Sequence, residues 1–292
     1  GSSKIYSGES ELLIVGGQES MSRARHTYLS RTGEKKLGNN VFIDTLVNDG
    51  LTDAFSKEHM GITAENVSRR YTVTRQDQDQ FAFQSYLKTY KAIKNNYFKN
   101  ELMKSPYKDE VRKDTTLVKL GQLKAVFKKS GTVTAGNASS LNDGASFIAL
   151  ASENYINSNK IKPIAKILSW ASSAGNPDYM GVTPITAIQK LMKKMGVIIG
   201  YFDLVEINEA FAATSVAVQR SLKIDPNKLN IAGGAILFLI SVEMVNGRRQ
   251  ARKSKAASDS VAKEELIRIS SSPLAVPLLA GPAAITSVMI FS

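Results

Sequence analysis

Few side chains in this sequence can do covalent or metal chemistry. Cysteine is absent, and His26 and His59 are the only histidines among 292 residues. That removes disulfides, thiolate metal sites and every cysteine-nucleophile mechanism. A zinc centre would need at least two carboxylates beside both imidazoles and is not expected, so no metal is assigned. Ser85-x-x-Lys88 matches a weak acylase-type pattern, but it lies mid-helix without companion motifs and reads as surface chemistry. The sequence has no G-x-G-x-x-G, no G-x-x-x-x-G-K-[ST] and no H-E-x-x-H, which counts against Rossmann, P-loop and zincin sites. The sequons at Asn66-Val-Ser68 and Asn137-Ala-Ser139 carry no weight without a secretory signal. The opening GSSKIYSGESELLIVGGQ lacks the basic region and long apolar run of one.

Lys and Arg number 38 against 26 Asp and Glu, a net charge of +12. Such a balance favours anionic partners: nucleic acid, anionic lipid or a phosphorylated small molecule. Most of the imbalance is local, with twelve Lys/Arg against four acids between Lys88 and Lys129. That stretch is either a solvated lysine-rich face or a docking surface for phosphate groups. No aromatic residues interleave with basic ones on a strand platform, so no nucleic-acid partner is expected.

The elements that must position these groups follow from pattern. Composition is that of a globular enzyme, 43% hydrophobic and 22% charged, and the length suits about two domains. Glu11 to Val15 reads as a buried strand ending in Gly16-Gly17. From Thr74 an amphipathic helix is predicted, with an acid at Asp77 and an apolar face of Phe83, Leu87 and Tyr90. Residues 131–151 join a small-residue turn region to an apolar strand. A strand over Lys166 to Ala171 and a helix over Thr186 to Met195, entered through Pro184, come next. Phe202 to Ile207 reads as a strand running into an alanine-rich helix that ends near Leu222, with Asn208 at its N-cap. Strands alternating with helices argue α/β layers.

At about Ile231 the character changes. Residues 231–242, IAGGAILFLISV, are continuously apolar, residues 247–268 are polar with seven Lys/Arg, and Pro273 to Ser292 passes without a charge. Twenty such residues meet the length needed to cross a bilayer, and the basic linker would face the cytoplasm.

Several small motifs in register carry a resemblance. They are Gly16-Gly17-Gln18-Glu19-Ser20-Met21-Ser22, the run His59 to Asn66 (HMGITAEN), the run Gly131 to Ser139 (GTVTAGNAS), and Asn142-Asp143-Gly144-Ala145. Ser169-Trp170-Ala171, Met180-Gly181-Val182-Thr183-Pro184 and Asn208-Glu209-Ala210-Phe211-Ala212 complete the series. In this order the set resembles the thiolases, the acetyl-CoA acetyltransferase family.

The resemblance implies an acyl-CoA acyltransferase of the acetyl-CoA C-acetyltransferase type, which makes or cleaves a carbon–carbon bond by Claisen condensation or by thiolysis of 3-ketoacyl-CoA. Coenzyme A thioester would be substrate, with no separate cofactor. The implied fold is a partial thiolase-like α/β architecture. Residues 9–28 and 170–235 would be remnants of two similar halves, 29–169 an inserted loop domain holding coenzyme A, and 236–292 a hydrophobic helical segment. The basic stretch then acquires the coenzyme A phosphates as partner. By the same resemblance, His59 and Met60 lie near the pantetheine and acyl pocket, and Ser169 contacts the pantetheine chain. Asn208 is catalytic, holding a water in an oxyanion hole. An amide can anchor a water that donates toward a developing enolate oxygen. Without that context His59 reads as a helix-end or loop histidine and Ser169 as a strand-end serine.

The departures concern the reactive groups. The family's nucleophilic cysteine, its second cysteine acting as base and the histidine of its Gly-His-Pro motif have no counterpart, so the chain is expected to be inactive alone. After Gly233-Gly234-Ala235-Ile236 the text instead resembles the MarC-type integral membrane proteins, and Ile231-Ala232-Gly233-Gly234 fits both patterns. A joint between two coding sequences is expected at that tetrapeptide. The alternatives are a non-catalytic coenzyme A-binding or scaffold module, as a homo-oligomer or paired with a complete thiolase, and a non-functional fusion product. The expected location is cytoplasmic, with membrane association through 273–292.

Overall fold

Helices and strands alternate along the chain, as the patterning requires. The computed structural model describes residues 1–28, 39, 41–99, 102, 111–112, 114–231 and 286–291. In chain order these form helix α1 (Ser2–Tyr6), strands β1 (Leu12–Ser20), β2 (His26–Thr27) and β3 (Ile43–Asp44), and helices α2 (Met60–Arg70), α3 (Arg75–Lys94) and α4 (Leu117–Gly121). Strand β4 (Asp143–Ala151), helix α5 (Glu153–Ser158), strand β5 (Ile167–Ser173) and helix α6 (Thr183–Met195) follow. Strand β6 (Val205–Ile207), helix α7 (Ala212–Leu222) and strands β7 (Leu229–Ile231) and β8 (Thr286–Phe291) come last. The described strands pair two by two: β1 with β4, β2 with β3 and β5 with β8 antiparallel, and β6 with β7 parallel.

Helix α7 is the centre of packing. Ala212, Ala213, Val216, Ala217 and Val218 are each at most 4% exposed, and their small size lets α2, α3 and the 3-10 turn Pro177–Val182 approach closely. A Cβ at Gly181 would come within 2.3 Å of Thr214 Cγ2, so that turn cannot carry a larger residue there. One apolar cluster joins Val67, Val73, Val182, Val216 and Ala217; the other joins Ile188, Val218, Leu222, Ile224 and Leu229. Their burial removes apolar surface from water and holds α2, α6 and α7 together.

Helix α3 begins as its sequence dictates. The Thr74 hydroxyl accepts from Asp77 N, the Asp77 carboxylate accepts from Thr74 N, and Arg220 of α7 adds a salt bridge to Asp77. The buried face is not the expected one. Gln78, Asp79, Ala82, Thr89 and Ala92 are buried, whereas Leu87 and Tyr90 are 47% and 38% exposed. The polar stripe wins because it is hydrogen-bonded to loop 131–139, which offsets the cost of burying it. Helix α6 begins at Thr183 with Pro184 in its first turn and stops at Gly196, whose φ of 67° is a left-handed cap.

The carboxy-terminal expectation needs correction. Residues 232–285, including the proposed joint at 231–234 beyond Ile231, lie outside the described residues. Thr286–Phe291, expected to belong to an apolar helix, is instead a strand, with Ile167 opposite Phe291 and Ser173 opposite Thr286. The β-branched and aromatic residues of Thr286–Phe291 suit a strand that pairs with β5. Among the described residues no helix is long and apolar enough to cross a membrane.

Candidate functional site

His59 is held by the helix it starts. It is the N-cap of α2, and its Nδ1 accepts from the Gly61 backbone N–H at 2.9 Å. The imidazole is therefore neutral at Nδ1 and carries its proton on Nε2. Burial pushes its pKa below the ordinary histidine value, in the same direction. The ring stacks on Phe127, with centroids 4.7 Å apart and planes at 25°. Gly61 permits this approach, since a Cβ there would lie 2.3 Å from the Phe127 ring. Phe127 in turn meets Phe211 edge-on at 6.2 Å, so residues 59, 127 and 211 form one aromatic chain. Met60 lines a small pocket at the start of α2 together with Asp53, Glu58, Thr63 and Met180.

Loop 131–139 is built on two buried polar anchors. The Glu65 carboxylate, 7% exposed, accepts from the backbone N–H of Thr132 and Val133 and from the Thr132 hydroxyl, at 2.8 to 3.1 Å. Gly131 is obligatory beside it, because a Cβ would come within 2.1 Å of Glu65 Oε1. Asn137 Nδ2 donates to Asp79 Oδ1 at 2.9 Å and to the Thr132 carbonyl at 3.1 Å, and its Oδ1 accepts from Thr134 N at 2.8 Å. Arg75 closes the set through a 2.8 Å ion pair with Asp79. The loop so fixed grips the segment after β6. Ser139 N donates to the Ala210 carbonyl at 3.0 Å, Ala212 N donates to the Asn137 carbonyl at 2.9 Å, and Ala138 bridges Phe211.

That grip explains a correction. Asn208 is not a helix N-cap: α7 starts at Ala212, and Phe211, with φ −143° and ψ 137°, occupies the cap position without a side-chain bond. The pairing of 210–212 with 137–139 keeps the backbone extended until Ala212, so the positive potential of the helix start belongs there. Asn208 lies half-buried in the link, where its carbonyl accepts from Ala210 N at 3.1 Å.

Two carboxyls flank Asn208. Burial pushes Glu206 up to about 8, and its Oε2 has no partner among the described residues. Burial also pushes Glu209 up to about 7, opposed by a Ser85 hydrogen bond and the charge of Lys88. Ser85 and Lys88, read from sequence as surface, are half-buried. Burial lowers the pKa of Lys88, and Glu209 pulls it back up.

Ser169 is carried on a separate element, β5, where it is 6% exposed and stands opposite Ile290. Its neighbour Trp170 lies under Lys194, whose Nζ is 4.9 Å from the ring centroid, and meets Tyr6 edge-on. His59 and the Asn208 link are thus joined through Phe127 and Phe211, with Met60 adjacent. Sequence reasoning missed Glu65, Asp79 and Phe127, whose roles arise from contacts about 60 residues apart in the chain. Glu206 and Glu209, both half-buried, were visible only as letters on either side of Asn208.

Comparison with known proteins agrees with this architecture. The profile of the thiolase N-terminal domain matches residues 1–154 and that of the thiolase C-terminal domain residues 161–241. The chain belongs to the thiolase family. A third profile, the MarC family integral membrane protein, matches residues 207–292 and overlaps the second. Acetyl-CoA acetyltransferase of Rhizobium meliloti (strain 1021) is 43% identical over 247 residues, which cover 81% of this chain and 63% of that protein. A probable acetyl-CoA acyltransferase of Staphylococcus aureus (strain COL) is 39% identical, with 80% of this chain and 62% of the relative covered. The chain therefore spans less than two thirds of these relatives. Among solved structures, Bacillus anthracis acetyl-CoA acetyltransferase aligns with a TM-score of 0.72 at 36% identity, over 78% of this chain and 60% of that one. Human mitochondrial 3-ketoacyl-CoA thiolase in complex with CoA aligns at 0.74 and 35%, over 85% and 67%.

Proposed function

We propose that the chain binds coenzyme A and its thioesters at a thiolase-type site but does not turn them over by itself. His59 and Met60 border the pantetheine and acyl end, Ser169 contacts the pantetheine chain, and Asn208 holds a water toward the thioester oxygen. Residues 29–169 act as the loop domain that receives the nucleotide end, between remnants of two halves at 9–28 and 170–235. The observation that carries this reading is the His59–Phe127–Phe211 stack, which ties two of the motif loops into one surface. The absence of cysteine from all 292 residues supports the lack of turnover. Pairing with a complete thiolase would supply the cysteines the chain lacks, which a homo-oligomer of identical chains would not.

Titration calorimetry with coenzyme A tests the reading. Binding is expected at low ionic strength and should weaken as salt rises, because exposed charge pairs are screened beyond about 8 Å at physiological salt. His59→Ala should weaken it on the order of tenfold, having removed both the cap and the stack. Protein shown to be folded that gives no binding at low salt would overturn the proposal.

A second reading concerns location. The MarC match over residues 207–292 favours membrane association of an otherwise cytoplasmic chain. The full-length chain should then sediment as a single species only with mild detergent, while a variant ending at residue 231 should not need it. A full-length chain that stays monodisperse in plain buffer contradicts this.

A further inference from the structure

Helix α6 ends in three lysines beside two exposed apolar side chains, an arrangement that neither the packing of the helix nor a coenzyme A site uses. Lys190, Lys193 and Lys194 are exposed and spaced to share one face, whereas Ala187, Ile188 and Leu191 are buried. The chain has no Asp or Glu between Asp178 and Asp203. It reverses at Gly196, whose N–H donates to the Lys193 carbonyl at 3.3 Å, while Val197 N donates to the Met192 carbonyl at 3.0 Å. Ile198 and Tyr201 follow, 77% and 54% exposed, joined in a single 3-10 turn by a 3.0 Å bond from Tyr201 N to the Ile198 carbonyl. Side chains three apart in such a turn eclipse, so the two form one apolar ridge. Their exposure is not looseness: Lys228 Nζ donates to the Gly200 and Phe202 carbonyls at 3.2 and 3.1 Å and holds the turn. A lysine in the last turn answers the helix dipole, but the dipole has no use for Ile198 or Tyr201 in water. Trp170 ties this end of α6 to the sheet, since Lys194 lies over its ring and donates to its carbonyl at 3.4 Å. Met289 of β8 stands opposite Trp170, so the stretch read above as membrane-associated ends on the same sheet.

We propose that the end of α6 is a docking surface for an anionic lipid bilayer. Lys190, Lys193 and Lys194 meet the headgroup charges, and Ile198, Tyr201 and the Trp170 ring sit at the interface. Lysines are drawn to an anionic leaflet, and tryptophan and tyrosine favour headgroup level. A fluid headgroup layer accepts a protruding ridge without a matching pocket, which a protein partner would have to supply. The idea deepens the membrane reading but places the contact on residues 170–201 instead of the tail.

Flotation of the full chain, diluted from mild detergent onto vesicles, tests it. The vesicles are phosphatidylcholine alone and phosphatidylcholine with about one third phosphatidylserine. Binding should be on the order of a hundredfold tighter to the anionic vesicles, each lysine contributing about fivefold. Trp170 is the sole tryptophan, so fluorescence on those vesicles should shift to the blue and be quenched by brominated lipid. Replacing the three lysines by glutamine should erase the preference for anionic lipid. Ile198→Ser combined with Tyr201→Ser should weaken binding about tenfold. These side chains are exposed, so both variants should keep the circular dichroism of the parent. Equal binding to both vesicle types, unchanged in the lysine variant, would overturn the proposal while leaving tail-borne membrane association intact. No binding to either would overturn both. Polyglutamate that competes with the vesicles, and is indifferent to the changes at Ile198 and Tyr201, would mark an acidic protein as the partner and overturn the bilayer.

Discussion

The purified 292-residue chain is expected to show no measurable thiolysis of acetoacetyl-CoA and no condensation of acetyl-CoA. A thiolase-type reaction needs a thiolate to take the acyl group and a base to form the carbanion, and this sequence holds no cysteine for either task. A serine or threonine hydroxyl ionises far less readily than a thiol and would need its own general base. His59 cannot supply one through Nδ1, which is occupied by the Gly61 N–H. Loss of a nucleophile costs on the order of a million-fold in rate where it has been measured in other enzymes, which takes turnover below detection. A coupled assay monitoring thioester absorbance checks this. Activity that follows the protein through successive purification steps, and survives removal of any contaminating thiolase, would contradict the account.

The second large effect concerns stability. Glu206 lies on β6 with one carboxyl oxygen unpartnered among the described residues, and burial raises its pKa from 4.5 to about 8. A carboxyl raised on folding contributes stability below its unfolded pKa and loses it as pH rises through the folded value. The contribution of Glu206 should therefore be most favourable near pH 5 and be lost progressively toward pH 8. Glu206→Gln keeps the shape and removes the charge. It should be near neutral at pH 5 and stabilise by about 3 kcal/mol at pH 8, a rise in Tm of roughly 6 °C or more. Thermal unfolding followed by circular dichroism at the two pH values measures this. An equal Tm difference at both pH values would show that Glu206 does not titrate as its burial requires.

How far these features were legible in the sequence depends on whether the information is local. The capping box at Thr74 and Asp77, the Pro184 entry to α6 and the strand expected over Lys166 to Ala171, observed as Ile167–Ser173, all follow from short-range rules. The buried face of α3 does not. An apolar triad at Phe83, Leu87 and Tyr90 looked like the core face, but Gln78 and Asp79 are buried because Ser68, Thr132 and Asn137 meet them from elsewhere in the chain. Asn208 has the right residue type for a cap, yet the bridge from Phe211 to Ala138 delays the helix by three residues. The strand at Thr286–Phe291 was hidden inside a run whose lack of charge suggested lipid, since composition does not record an available edge on β5. Motif order singled out His59, Met60, Ser169 and Asn208 by resemblance, while the stack that links His59 to Phe211 passes through Phe127, which no motif contains.

Amide hydrogen exchange with and without coenzyme A tests the central claim most directly, because it reports where the ligand sits as well as whether it binds. Residues 59–62 form the cap and first turn beside Phe127, and residues 167–171 carry Ser169. The account predicts slower exchange in both segments on saturation, with little change in β1 and β4. Binding accompanied by protection confined to other segments, leaving 59–62 and 167–171 unaltered, would contradict the placement of the site.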